Sequence, residues 1–234
     1  MKKNVLLLSV LMALPIFHIT ASAQEDLHNP LVVAKTPGEK GALELLAHIG
    51  YGYNATSTPQ DLEISYSSEF FINIINIKAY PIPALGIEIG VDYKTNGFES
   101  KMQAFKVDNG AVKVMPYGEK ITQPYTKNFS RLRTNTFSAP AMLKLNAGPV
   151  SIGVGAEANL NLTGRIKDKY FVDGKKVKDI EKNVPFNKFN YDLVGTISYE
   201  DTGIYVRYYP KNSRLLTDGS IDLSFFTVGV IFGM

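Results

Sequence analysis

Residues 191–210 read YDLVGTISYEDTGIYVRYYP. Tyr191, Leu193, Gly195, Ile197 and Tyr199 form one alternate set, and Asp192, Val194, Thr196, Ser198 and Glu200 form the other. Past Asp201-Thr202-Gly203, Ile204, Val206 and Tyr208 alternate with Tyr205, Arg207 and Tyr209. Strand side chains point alternately to opposite faces, so two such runs joined by a tight turn predict a hairpin with two chemically different faces. Which face meets the protein and which meets its surroundings decides the fold.

The same period of two dominates the chain after residue 40, and helical periodicity is scarce there. Turn signals divide it into eight strand candidates, each about as long as a membrane-crossing strand needs to be. They are 41–53, a stretch within 62–79, 85–96, 132–146, 149–165, the two arms of the opening hairpin, and 220–233. The phase of the second is open, because Ile72, Ile74, Ile75 and Ile77 occupy both faces. The fifth alternates Val150 through Leu162 with Ser151, Gly153, Gly155, Glu157, Asn159, Asn161, Thr163 and Arg165. Short connections follow the even-numbered strands, at 80–84, 147–148 and 201–202. Mostly longer ones follow the odd-numbered strands, at 54–61, 97–131, 166–187 and 210–219. Outer-membrane barrels show this asymmetry of short turns and long external loops. Asn109-Gly110 and Asp173-Gly174 predict small hairpins inside two of the long loops, standing above the membrane.

The polar faces carry Gly, Ser, Thr and Asn with isolated charges, as a packed polar lumen would. The apolar faces carry aromatics toward their ends: Tyr51, Tyr93, Phe189, Tyr191, Tyr199 and Tyr208 form an expected girdle. The apolar face is therefore expected to meet lipid, where only closure into a barrel pairs every backbone group of a strand. The fold class is all-β, an eight-stranded antiparallel transmembrane β-barrel of up-and-down topology over 41–234. A secreted soluble barrel with an apolar ligand cavity is the alternative; it leaves the alternation of loop lengths unexplained.

The start of the 234-residue chain fits a secretory signal over 1–23: Lys2 and Lys3, an apolar run, then Ala21-Ser22-Ala23. Residues 24–40 lack periodicity and read as a periplasmic lead-in. Without Lys2 and Lys3 the chain holds 23 basic against 22 acidic residues, so its charge points to no nucleic acid. Cysteine is absent, and with three histidines there is no candidate metal cluster. No cofactor is expected.

Phe137-Ser138-Ala139-Pro140-Ala141-Met142-Leu143-Lys144 resembles the recurrent strand of Bacteroidota-type, PorT-like outer-membrane β-barrel proteins, in which an apolar stretch carries a proline and then a lysine four positions later. Tyr191-Asp192-Leu193-Val194-Gly195 with Ile204-Tyr205-Val206-Arg207-Tyr208 is similar to their penultimate hairpin. Phe225-Phe226-Thr227-Val228-Gly229-Val230-Ile231-Phe232 resembles their closing strand. The resemblance spans roughly 41–234. It implies a Gram-negative outer membrane, contact with the outer-membrane assembly machinery, and an accessory role in secretion or envelope assembly. Pro140 lacks a ladder donor, so a bulge or local break is expected beside it.

Glu44, Glu88, Asp92, Lys94, Lys144, Glu157, Asp192 and Arg207 fall on the inner faces. Both signs are present, as a lumen-filling ion network requires; the alternative is the lining of a narrow porin-like channel. Catalysis has weak support. His48 is the one histidine on a strand, and no nucleophile stands at a supporting spacing, so no catalytic residue is assigned and the protein is read as a non-enzyme. The loop 166–187 holds Lys167, Lys169, Lys175, Lys176, Lys178 and Lys182, which fits a solvated loop surface or, alternatively, contact with lipopolysaccharide phosphates. The expected partners are outer-membrane lipid and lipopolysaccharide, and the expected state is a monomer with a structural or surface-interaction role.

Overall fold

The computed structural model describes residue 40 and residues 43–57, 62–117, 128–172 and 174–233. The expected signal, 1–23, and the lead-in up to residue 39 lie outside the described residues. Among the described residues the strands are β1 (Leu43–Leu46), β2 (Ile49–Ser57), β3 (Tyr66–Ile82), β4 (Leu85–Ser100), β5 (Gln103–Asp108), β6 (Ala111–Pro116), β7 (Phe129–Ala147), β8 (Val150–Val172), β9 (Lys175–Glu181), β10 (Phe189–Tyr199), β11 (Thr202–Tyr208) and β12 (Ser224–Phe232).

Antiparallel pairing runs from β2 through β3, β4, β7, β8, β10, β11 and β12, and β12 pairs back onto β2. The result is a closed eight-stranded up-and-down barrel with no free edge. β1 continues the wall of β2 along β3, and β9 flanks the upper part of β8. β5 and β6 form a separate hairpin. Its turn places Asn109 at φ 50° and Gly110 at φ 75°, the left-handed pair that a two-residue hairpin loop requires. Both expected loop hairpins are present, and the short turns all lie at one end of the barrel.

Apolar side chains cover the outside. On β8, Val150, Ile152, Val154, Leu160 and Leu162 are all exposed, while Glu157, Asn159 and Asn161 are buried. From Val150 to Leu162 the strand rises about 40 Å at ~3.3 Å per residue, or about 30 Å along the membrane normal at a tilt of ~40°. That matches a bilayer's hydrocarbon thickness. The spanning part of the wall thus ends near Leu162 on β8 and near Phe137, the partner of Leu160, on β7.

Irregularities in the ladders settle or correct three readings. In β3 a register shift between Asn73 and Ile75 leaves Glu69, Phe71 and Asn73 inward, Ile74 and Ile75 both outward, and Asn76 and Lys78 inward. The extra residue of a bulge moves the period by one, so the isoleucines belong to one face after all. In β8 the pairs Asn135↔Thr163 and Thr136↔Asn161 leave Leu162 as the extra residue. Thr163 and Arg165, expected inside, are therefore exposed, and Ile166 is buried. At Pro140 the β4–β7 ladder passes from Ile89↔Ala141 to Asp92↔Ser138. Pairing lapses there without a change of register, a break rather than a bulge.

Above the lipid belt the interior changes character. Leu62, Phe98, Phe105, Val112, Leu132, Ile166, Val184, Leu216 and Phe225 form one buried apolar cluster. β5–β6 is tied into it: Ser130 accepts from the Phe105 N–H at 2.9 Å, Lys106 reaches Asp168 at 2.6 Å, and Ile221 N–H donates to the Val112 carbonyl at 2.8 Å. The hairpin thereby packs over the long-loop mouth.

Glycines thin the β2–β12 wall so that two inward rings fit. A Cβ on Gly52 would stand 2.5 Å from the Tyr205 hydroxyl, and one on Gly229 would meet the Tyr51 carbonyl oxygen and lie 2.6 Å from Gly52 Cα. At Gly195 the nearest atom is 3.9 Å away. Gly229→Val is expected to destabilise the barrel by about 1–3 kcal/mol through overpacking, read as a lower temperature for loss of the compact band in a heat-modifiability gel. Gly195→Ala should leave that temperature unchanged.

Candidate functional site

The lumen is built from the inward residues of eight strands. Toward the short turns, Glu88 on β4 has Lys144 Nζ of β7 at 2.5 Å and accepts from Asn76 Nδ2 at 2.6 Å. His48, between β1 and β2, is buried and meets Phe71 edge to face at 5.8 Å. Lys78 donates to Asn146 at 3.2 Å.

One level higher, Arg207 of β11 sits at the centre. Its guanidinium pairs with Glu69 of β3, lies 2.6 Å from Glu157 of β8 and 3.2 Å from Asp192 of β10. Lys94 of β4 bridges the same two carboxylates, at 3.0 Å to Glu157 and 2.8 Å to Asp192. Tyr205 and Tyr209 donate to the two oxygens of Glu69 at 3.1 and 2.9 Å. Asp92 accepts from Asn73 at 2.6 Å. Five strands on opposite sides of the barrel are joined through these side chains. Each ion is nearly or wholly inaccessible, so each needs its partner: a buried charge left alone is strongly unfavourable.

Neutral pairs border the ions: Thr227 stands opposite Arg207, Ser138 opposite Asp92 and Thr136 opposite Lys94, and Asn159 donates to Asp192 at 2.7 Å. Thr227 donates to Asn54 at 2.7 Å, Ser138 to Asn159 at 2.7 Å, and Thr136 to Asn161 at 2.6 Å. Then the apolar cluster begins. Beside His48, Lys144 and Arg207 the lumen holds a cavity of about 20 Å³, the scale of a water molecule. Ligand sites run to about 300–1,000 Å³.

Of the eight charges expected in the lumen, Glu88, Asp92, Lys94, Lys144, Glu157, Asp192 and Arg207 are buried there. Glu44 stands opposite Lys78 in the β1–β3 ladder; its side chain lies outside the described residues. Sequence reasoning missed Glu69 and Lys78. The signal was the alternation of Glu69 with Phe70 and Ile72, obscured by the isoleucines past the bulge. All six expected girdle residues face outward. Tyr199 is at the short-turn end; Phe189, Tyr191 and Tyr208 are toward the long loops, as is Tyr93, which packs on Phe137 at 5.8 Å. Tyr51 lies lower and its hydroxyl meets that of Tyr66. The lysines of 166–187 fall on both faces of the β8–β9 extension, Lys167, Lys169, Lys176 and Lys178 on its outer face.

The sequence matches no protein-family model and no curated protein. Among solved structures, the chain is similar to Ail, the attachment invasion locus protein of Yersinia pestis. Identity is 11% and the TM-score 0.38, over 83% of this chain and 99% of that one. It is also similar to Neisserial surface protein A, with 13% identity and a TM-score of 0.36, over 82% of this chain and 99% of that one.

Arg207→Met is expected to lower the unfolding free energy by about 3–5 kcal/mol, because it takes the cation from buried Glu69 and leaves Glu157 and Asp192 to share Lys94. Adding Glu69→Gln should recover part of the loss. Urea titration of the refolded barrel in detergent measures both, and strict additivity of the two changes would mean that the pair is not coupled.

Proposed function

We propose that the chain is a monomeric, non-enzymatic barrel of a Gram-negative outer membrane, delivered by the signal at 1–23, whose lumen braces the wall and whose long loops carry a surface-interaction role. The observation that carries this reading is the apolar cluster roofing the polar lumen. A conducting pore needs a continuous polar path, and here the ion network is stacked beneath buried Leu, Phe and Ile side chains. The resemblance of 137–144, 191–208 and 225–232 to Bacteroidota-type barrels supports the outer-membrane setting and insertion by the assembly machinery. It also supports an accessory role in secretion or envelope assembly as the finer reading. Against a lipid-modifying enzyme, His48 is held inside the barrel beside Phe71 and Glu88, whereas such an enzyme needs its base at the rim facing lipid.

The narrow porin-like channel remains the second reading, favoured by the charges around the small lumen cavity. The mature chain, refolded and inserted into a planar bilayer, is expected to give no stable conductance steps. Salt-dependent steps that change with Lys144→Gln or Asp192→Asn would overturn the closed reading and establish the channel.

A further inference from the structure

Directly above the lipid belt, the outer face of β7, β8 and β9 is cationic. The ladders set Arg133 opposite Arg165, Arg131 opposite Lys167, and Lys169 opposite Lys178. Cross-strand partners have Cβ atoms about 4.5–5.5 Å apart, and like charges placed so are destabilising. Phe129 gathers three of the cations, with Arg131 at 5.5 Å and Lys167 and Lys169 each at 5.8 Å from its ring centre. Among the described residues, Glu99 on Arg131 is the one carboxylate paired with this face. Asp168 and Asp179 turn to the other side, toward Lys106. Desolvation, followed by the charges of Lys178, Arg131, Arg165 and Arg133, pulls the Lys167 ammonium below its ordinary pKa.

The position of this face identifies its counterpart. Arg165 stands three residues beyond Leu162, about 8 Å higher along the membrane normal, at headgroup level. The side chains lie on the outer face of the wall, and the extra residue at Leu162 is what turns Arg165 and Lys167 that way. Arginine pairs offer planar, two-pronged donors that suit phosphate oxygens.

We infer that the outer face of Arg131, Arg133, Arg165, Lys167, Lys169 and Lys178 is a docking site for phosphate-bearing lipid headgroups of the leaflet on the long-loop side. Bound phosphates neutralise the like-charge ladder and fix the barrel's depth in that leaflet. The inference rests on the membrane setting proposed above and holds whether or not the lumen conducts, so a quiet or conducting bilayer leaves it unaffected.

The test uses the full mature chain folded in neutral detergent and titrated calorimetrically with bisphosphorylated lipid A. The variant Arg133→Gln/Arg165→Gln/Lys167→Gln/Lys169→Gln should bind about tenfold more weakly or worse. Lys175→Gln/Lys182→Gln/Lys188→Gln/Lys211→Gln removes equal charge elsewhere and should bind as the parent does. A heat-modifiability gel checks that both fold. Equal losses in the two variants would reduce the effect to net charge and overturn the site. Displacement of lipid A by millimolar inorganic phosphate would assign the face to free anions instead. Tighter binding of a sulfated polysaccharide than of lipid A, lost in the first variant, would assign it to a soluble polyanion and likewise overturn the lipid reading.

Discussion

A strand in hydrocarbon has no water to satisfy its backbone, and everything else in this protein answers to that constraint. Each N–H and C=O must find a neighbouring strand, so the sheet must close. Closure with eight strands leaves an interior just wide enough for side chains. The interior must then be filled, and because lipid has claimed the apolar face of every strand, it is filled by polar residues. Burying those residues makes their mutual pairing obligatory. Arg207, Lys94 and the carboxylates around them follow from the backbone constraint by way of strand alternation.

The interior network and the wall also restrict each other. Phe71 and Tyr205 need the glycines at 50, 52 and 229 to lie flat against β2 and β12. Their rings in turn cover the guanidinium of Arg207 at 5.0 and 5.2 Å. Tyr205 and Tyr209 spend their hydroxyls on Glu69. A change in any one of these residues therefore reaches the ion cluster, while an outward change such as one at Gly195 meets lipid alone.

Much of this was legible in the chain. The alternation in 150–162 and 191–208 announces both faces, and the short connections at 147–148 and 201–202 announce which strands are neighbours. Asn109-Gly110 announces the β5–β6 turn because few other pairs accept two positive φ angles. What could not be read is any event that adds one residue to one strand. Nothing local distinguishes Leu162 from Leu160, yet its extra position inverts the rest of β8. The same kind of event at Ile74 hid Glu69, the principal partner of Arg207. The apolar roof was equally hidden. Its members come from distant loops with no shared period, and they meet only once the barrel has brought the long loops to one end.

That roof and the Leu162 bulge mark the same level, where the surroundings change from hydrocarbon to headgroups and water. Below it the wall is apolar outside and polar inside; above it the arrangement reverses, with Leu132 and Ile166 inside and Arg133 and Arg165 outside. β7 makes the reversal by changing residue type at constant phase, from Phe137 outward to Arg133 outward. β8 makes it by changing phase. Had β8 kept its register, Ile166 would face the headgroups and Arg165 and Lys167 would be driven into the apolar core. The bulge thus serves two ends at once: it delivers an aliphatic side chain to the roof and turns two cations to the outer face. A single inserted residue couples the packing of the apolar cluster to the chemistry of the outer face.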